Sequence, residues 1–396
     1  MISPRRCALI AAAAGLLITT AACSASSSST TGNSSTTGNS TSASSGAAAG
    51  SGSASAAPAK QLSLAYANIT DANPSLAGLA QLIKSAATTA GDTMTLYNNN
   101  ADPSTATSVA QLMVNAKPNV ILDWPPSQQI GTSLNAIFSR GRVPCIAVDI
   151  PVGNCALFYP DNTTLGTETG QALATVMKAK GWNGSNTTFV IAQNAVVGDQ
   201  NDVERSGYLA VAHAISGFPT PALTAITDST TTLSASAIQV NTGDEIDLAY
   251  TAMKNALQTI PASRNIVVYG ITDETTLGAW RALSGAGRKN VLLAGNGGDT
   301  TGVGQLRTNP NWVVESSPFV PQWGEYLMAM AHALAAGMKV PAQTPSPITV
   351  FTKANLSQYY APGSTTVKQL PPLSAQDEYL AATGILQKFG NVSGLG

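Results

Sequence analysis

The chain has 396 residues, in which 20 Lys and Arg nearly balance 21 Asp and Glu, and only 10% of positions are charged. No basic face is available to neutralise a phosphate backbone, which excludes nucleic-acid binding as the main role. Two histidines and four cysteines leave little material for a zinc site, and neither a metal nor a cofactor is expected.

The first 22 residues carry Arg5 and Arg6, an apolar run from Ala8 to Ile18 too short to span a bilayer, and small residues leading to Cys23. That is the layout of an export signal, not of an anchor helix. Thr20-Ala21-Ala22-Cys23 resembles the lipobox of bacterial lipoproteins. The resemblance implies cleavage after residue 22, lipidation of Cys23, and an anchored position at the outer face of the cell membrane. The alternative is plain secretion with a free Cys23. No charged residue occurs between Arg6 and Lys60, and 24–59 is almost entirely Ser, Thr, Gly, Ala and Asn. Such a stretch cannot bury enough apolar area to offset its ordering entropy, so 23–59 is expected to be a flexible tether with a reach of roughly 30–36 Å.

With Cys7 in the signal and Cys23 lipidated, Cys145 and Cys155 remain. In an exported protein they predict a disulfide closing the turn through Pro151, Gly153 and Asn154, the alternative being two buried thiols. Neither His213 nor His332 is tied to either cysteine in the sequence, so a catalytic thiol is not expected.

From residue 62 onward short apolar runs alternate with helical stretches. The strands predicted are 62–67, 93–97, 120–122, 145–148, 188–192, 266–269, 291–294 and 312–314. The helices predicted between them are 75–90, 104–116, 128–140, 163–180, 202–216, 244–258, 274–285 and 320–337. This alternation implies parallel sheets covered by helices on both faces, and the unbroken apolar strands fit burial on both sides. Asn73-Pro74-Ser75, Asp102-Pro103-Ser104 and Asp161-Asn162-Thr163 place side-chain acceptors at helix starts. The fold class is α/β, with two doubly wound halves.

In open sheets of this kind the binding crevice lies beyond the carboxyl ends of the strands. There the sequence puts Asn68 to Asn73, Asn98 to Asn100, Asp123-Trp124-Pro125, Asp149-Ile150, Gln193-Asn194, Thr272-Asp273-Glu274 and Asn296-Gly297. The set is rich in amides, carboxylates and aromatic rings, which satisfy hydroxyl and amine hydrogens and cover the apolar face of a sugar-like ring.

Five segments carry a family resemblance: Asn73-Pro74; the run Val143 to Asp149; Asp161-Asn162 with Gly166 and Gly170; Thr272-Asp273-Glu274 with Gly278 and Leu283; and Gly324 with Leu334 and Gly337. In this order and spacing they resemble the type I periplasmic solute-binding proteins, in particular the ribose- and galactose-binding branch. The likeness covers most of 60–350. It implies two lobes joined by three crossings, closing on a ligand and handing it to an ABC-type permease. On this basis the first lobe is 60–161 with 318–345, and the second is 162–317 with 346–396.

The residues assigned to the ligand are Asn68, Asn73, Trp124, Asp149, Glu204, Arg205, Thr272, Asp273 and Asn296. Ser75 and Leu76 replace the family's paired aromatics, and Trp124 stands as a substitute ring. Ile150 and Glu204 fall where arginines are usual, with Arg205 one position late. Losing two such forks removes bidentate donors and favours a neutral polyol or an amine-bearing ligand over an anion. Trp323, Tyr66 and Phe319 read as core aromatics. No Gly-x-Ser-x-Gly or Gly-x-x-x-x-Gly-Lys occurs, so an enzyme is not expected. Two alternatives stand beside the transport reading. One is a surface sensor presenting its ligand to a membrane receptor kinase; the other is a glycoside hydrolase with Asp149 facing Asp273.

Overall fold

A computed structural model describes residues 60–298 and 300–395. The export signal, Cys23 and the tether lie outside the described residues. The first half runs β1 (Ser63–Asn68), α1 (Pro74–Ala90), β2 (Thr93–Asn98), α2 (Pro103–Asn115), β3 (Val120–Asp123), α3 (Gly131–Gly141), β4 (Cys145–Val148) and β5 (Ala156–Tyr159). The second continues with α4 (Asn162–Ala179), β6 (Thr187–Gln193), α5 (Asp202–Ala214), β7 (Thr232–Ser234), β8 (Ala237–Asn241) and α6 (Ile246–Ala256). It is completed by β9 (Asn265–Gly270), α7 (Asp273–Gly285), β10 (Val291–Asn296), α8 (Thr300–Thr308) and β11 (Trp312–Ser317). Then come α9 (Trp323–Ala335), β12 (Gln343–Pro345), β13 (Thr349–Phe351), α10 (Leu356–Tyr359) and α11 (Glu378–Ala381).

Two sheets result. The first has the order β12-β5-β4-β3-β1-β2, parallel throughout. The second has the order β13-β11-β10-β9-β6-β8-β7, parallel except for its two edge strands β13 and β7. Their central strands are buried along nearly their whole length, which is why they read as unbroken apolar runs.

The predicted caps form. Asn73 Oδ1 accepts from the amide of Ser75 at 2.9 Å, Asp102 from Thr105 at 2.7 Å, and Asp161 from Thr164 at 3.0 Å. In α4, Gly166 and Gly170 lie against α5. A Cβ there would come within 2.0 Å of the Val203 carbonyl oxygen and 2.2 Å of that of Gly207. These glycines let two helix backbones touch, and that contact sets where the first turn of α5 sits.

Cys145 and Cys155 are disulfide-bonded, with Cα atoms 4.9 Å apart, tying the start of β4 to the residue before β5. The expected helices at 128–140 and 320–337 each begin with a 3-10 turn, at Gln128–Ile130 and Val320–Gln322, before α3 and α9.

The tail departs from the expectation that it belongs whole to the second lobe. β13 pairs with β11, and the Tyr360 hydroxyl donates to the Gly298 carbonyl at 2.7 Å. Farther on the chain returns to the first sheet's layer. Gln376 donates to the carbonyl of Gln343, Tyr379 and Thr344 share a hydrogen bond, Asn391 donates to Glu325, and Lys388 donates to the Ala90 carbonyl at the end of α1. Crossings between the layers thus occur at 160–161, 318–322 and 346–348, and again in the tail. No helix among the described residues is long and apolar enough to cross a membrane.

Candidate functional site

Strand register gathers the site. In the first sheet Asn68 pairs with Asn98, Ala67 with Asp123, and Asp123 with Ala147. The carboxyl ends of four strands therefore form one edge. In the second sheet Gln193 pairs with Asn241, Ala192 with Gly270, and Asn296 with Ser316.

On the first edge, Asn68 is fully buried, and its amide donates to the Thr70 carbonyl at 2.8 Å and to Asp71 Oδ1 at 2.7 Å. Its role here is to shape the turn into α1, as Asn73 does by capping that helix. Asp123 Oδ1 accepts from Asn99 at 3.0 Å, whereas Oδ2 meets no partner among the described residues. Burial pushes this carboxyl up to about 7. Asp149, just past β4, has a left-handed backbone (φ 63°), a conformation that an Asp tolerates better than most residues. Burial pushes it up to about 7 as well. The Tyr66 hydroxyl, which donates to Asn68 Oδ1 at 3.3 Å, is raised far above its ordinary range, first by burial and then by the charges of Asp123, Asp71 and Asp149.

Trp124 is 7% exposed and lies 5.8 Å, centroid to centroid, from Trp323, which meets Phe158 edge-on at 5.5 Å. The aromatic face expected at this strand end is thus one ring of a buried ladder, and the core reading of Trp323 agrees with its place in it. The Trp124 indole N–H has no partner among the described residues.

On the second edge Arg205 points into its own lobe. Its guanidinium donates to Gln193 Oε1 at 2.5 Å, Asp228 Oδ1 at 2.6 Å and Gln239 Oε1 at 3.2 Å. Glu204 is fully buried, and apart from its own backbone amide neither of its carboxyl oxygens has a hydrogen-bond partner among the described residues. Its carboxyl is raised well above the usual range, chiefly by burial. Asp244, past β8, accepts from Asn194 Nδ2 at 2.6 Å and is likewise raised by burial.

Thr272 caps α7, and Asn296 donates to the Ile271 carbonyl at 2.8 Å while accepting from the Ser316 hydroxyl at 3.1 Å. Asp273 lies beneath the glycine loop after β10. A Cβ on Gly295, Gly297 or Gly302 would come within 2.4–2.7 Å of its carboxylate. Glu315 shares that floor and accepts from the Gly298 amide at 2.8 Å. Asp149 and Asp273 thus serve on different lobes and in different settings.

The two edges meet through Gln200, in the 3-10 turn Gly198–Asn201, whose amide donates to Asp149 Oδ2 at 2.7 Å. Gln200 and Asp244 escaped the sequence reading. The second would have been found by recognising β8, whose end it follows. A surface recess of about 400 Å³ bordered by Pro219, Ile226 and Leu233 lies away from both edges and is lined by no ionisable side chain. No group of three or more His, Cys, Asp or Glu among the described residues is arranged to hold a metal ion.

Residues 64–339 match the profile of a family described as periplasmic binding protein domain. No curated protein sequence matches the chain significantly. Among solved structures, an ABC transporter solute-binding protein from Mycobacterium smegmatis with bound glycerol is 22% identical, with TM-score 0.62, covering 78% of this chain and 99% of that one. A periplasmic solute-binding protein from Actinobacillus succinogenes with bound D-allose is 14% identical, with TM-score 0.60, covering 76% and 100%. One from Bacillus halodurans with bound myo-inositol is also 14% identical, with TM-score 0.60, covering 76% and 98%. At these identities the likeness is one of fold.

Proposed function

Since the chain belongs to the periplasmic binding protein domain family, we propose that it is an extracytoplasmic, lipid-anchored receptor that captures a small sugar or polyol between two lobes and delivers it to an ABC-type permease without altering it. The observation that carries this reading is the Asp149–Gln200 hydrogen bond, which joins the carboxyl-end edges of the two sheets. The glycerol, D-allose and myo-inositol of the similar structures are all small polyhydroxylated molecules.

In this reading the lobes are 60–161 with 318–345 and 162–317 with 346–351, the remainder of the tail touching both. Asp149, Glu204 and Asp273 face the ligand, with Trp124 backing it from the buried ladder. Asn68, Asn73, Arg205, Thr272 and Asn296, whose side chains bond within their own lobe, hold the turns that carry them. Cys23 bears the lipid, and 24–59 is the leash.

The test is a thermal-shift panel of pentoses, hexoses and cyclitols on the purified protein. A binder gains RT ln(1 + [L]/Kd), about 2.7 kcal/mol at a hundredfold excess over Kd, and its melting temperature rises in a saturable way. A panel without any saturable shift would sink the reading, and so would release of a product from a glycoside.

A further inference from the structure

The family reading leaves one group unexplained. Glu204 is fully buried, and apart from its own backbone amide neither of its oxygens has a partner among the described residues. Such a carboxyl is costly to bury unless something completes it. The guanidinium next to it in sequence does not, because Arg205 is bonded to Gln193, Asp228 and Gln239.

Its position is at the site. Glu204 falls one helical turn after Gln200, the residue that reaches Asp149, and helical side chains lean back toward the helix start. The ionisable groups around it are Asp202 and Arg205 on its own element, Asp244 from the turn after β8, and the Tyr269 hydroxyl on β9. Asp244 Oδ1 is also without a partner, as is Asp123 Oδ2 on the opposite lobe. The edges therefore present carboxyls that become acceptors carrying negative charge once they deprotonate. A hydroxyl donates one hydrogen, whereas an ammonium donates three and neutralises the field.

Resting on the solute-binding reading, we propose that the ligand is an amine-bearing sugar or aminocyclitol whose ammonium group is received by Glu204, with Asp149 across the cleft.

Titration calorimetry on the purified protein distinguishes this from polyol binding. The probes are glucosamine against glucose, and scyllo-inosamine against myo-inositol, each at pH 5.5 and pH 7, where the amines stay protonated. At least one amine is expected to bind ten times or more tighter than its hydroxyl counterpart. Its affinity should rise from pH 5.5 to 7 as Asp149 and Asp123 release protons, whereas that of the hydroxyl compound should not rise. Glu204→Gln should bring the amine-to-hydroxyl ratio toward one, with retention of fold checked by the melting temperature.

Hydroxyl compounds that bind as tightly as the amines would overturn the inference and leave the solute-binding reading intact. An unchanged ratio in Glu204→Gln, or an amine affinity independent of pH, would also overturn it. Absence of heat from all four probes would count against both.

Discussion

The two strand-end edges are built differently. The first is backed by rings, with Trp124 on Trp323 and Trp323 on Phe158, and its polar groups are short carboxylates at the strand ends. The second is backed by a polar lattice in which Gln193, Gln239 and Asp228 hold Arg205, and Asn194 holds Asp244. An aromatic backing resists deformation and presents a flat shape. A lattice of amides fixes the direction of charge. In the proposed function, a ligand gripped by both would be selected for a ring face on one side and for hydrogen-bond donors on the other.

That contrast can be broken from either end. Trp124→Ala should have the largest effect, about 3–5 kcal/mol of stability lost through the cavity and the missing ring contacts, read from urea unfolding. A loss under 1 kcal/mol would mean that the ring is not part of the first lobe's support. Replacing Cys145 and Cys155 together by Ser should cost about 2–3 kcal/mol, visible as a lower denaturant midpoint without reductant. If adding reductant to the native protein shifts nothing, the first lobe does not depend on that bond.

On the second lobe, Gly166→Ala should cost about 1–3 kcal/mol, because its methyl group would press on the Val203 carbonyl and push α5 outward. If calorimetry shows the same ligand affinity for this variant, the α4–α5 contact does not set the position of Glu204.

A further test is the dependence on pH. Asp123 and Asp149 titrate near pH 7 when folded and near pH 4 when unfolded, so between those limits the native state holds more protons. Stability of the unliganded protein should therefore fall as pH rises from about 4 to about 7 and then level off. Asp149→Asn should flatten that slope, measured as melting temperature against pH. A wild-type slope of the opposite sign would remove the buried carboxyls from the account.

Most of the sheet architecture was legible because a buried parallel strand must be apolar and its helix must start on a capping side chain. All eight strands and eight helices expected from the sequence are present, with ends shifted by up to three residues. What escaped had no such signature. β8 sits beside a Ser- and Thr-rich stretch, and α8 contains Gly302, which packs its backbone against Asp273 and Glu315 where a side chain would not fit. The site was legible as a set of positions and not as a set of roles. Sequence spacing places Arg205 and Glu204 side by side, but only the fold shows which of them is satisfied internally.

The tail's last crossing has a mechanical side. The Lys368 amide donates to the Tyr359 carbonyl at 2.8 Å, beside Tyr360 and its bond to Gly298, while the Leu370 amide donates to the Asn391 carbonyl at 2.7 Å, beside the bond to Glu325. Only Gln369 separates the two anchorages, so the slack there is a single peptide unit. A jaw that swings about the other three connections has to unfasten one of these anchorages or stop. In the proposed two-lobe receptor the tail would act as a tether stop on the gape, and lengthening it by a few glycines at Gln369 would change how quickly a bound solute leaves without touching any atom that holds it.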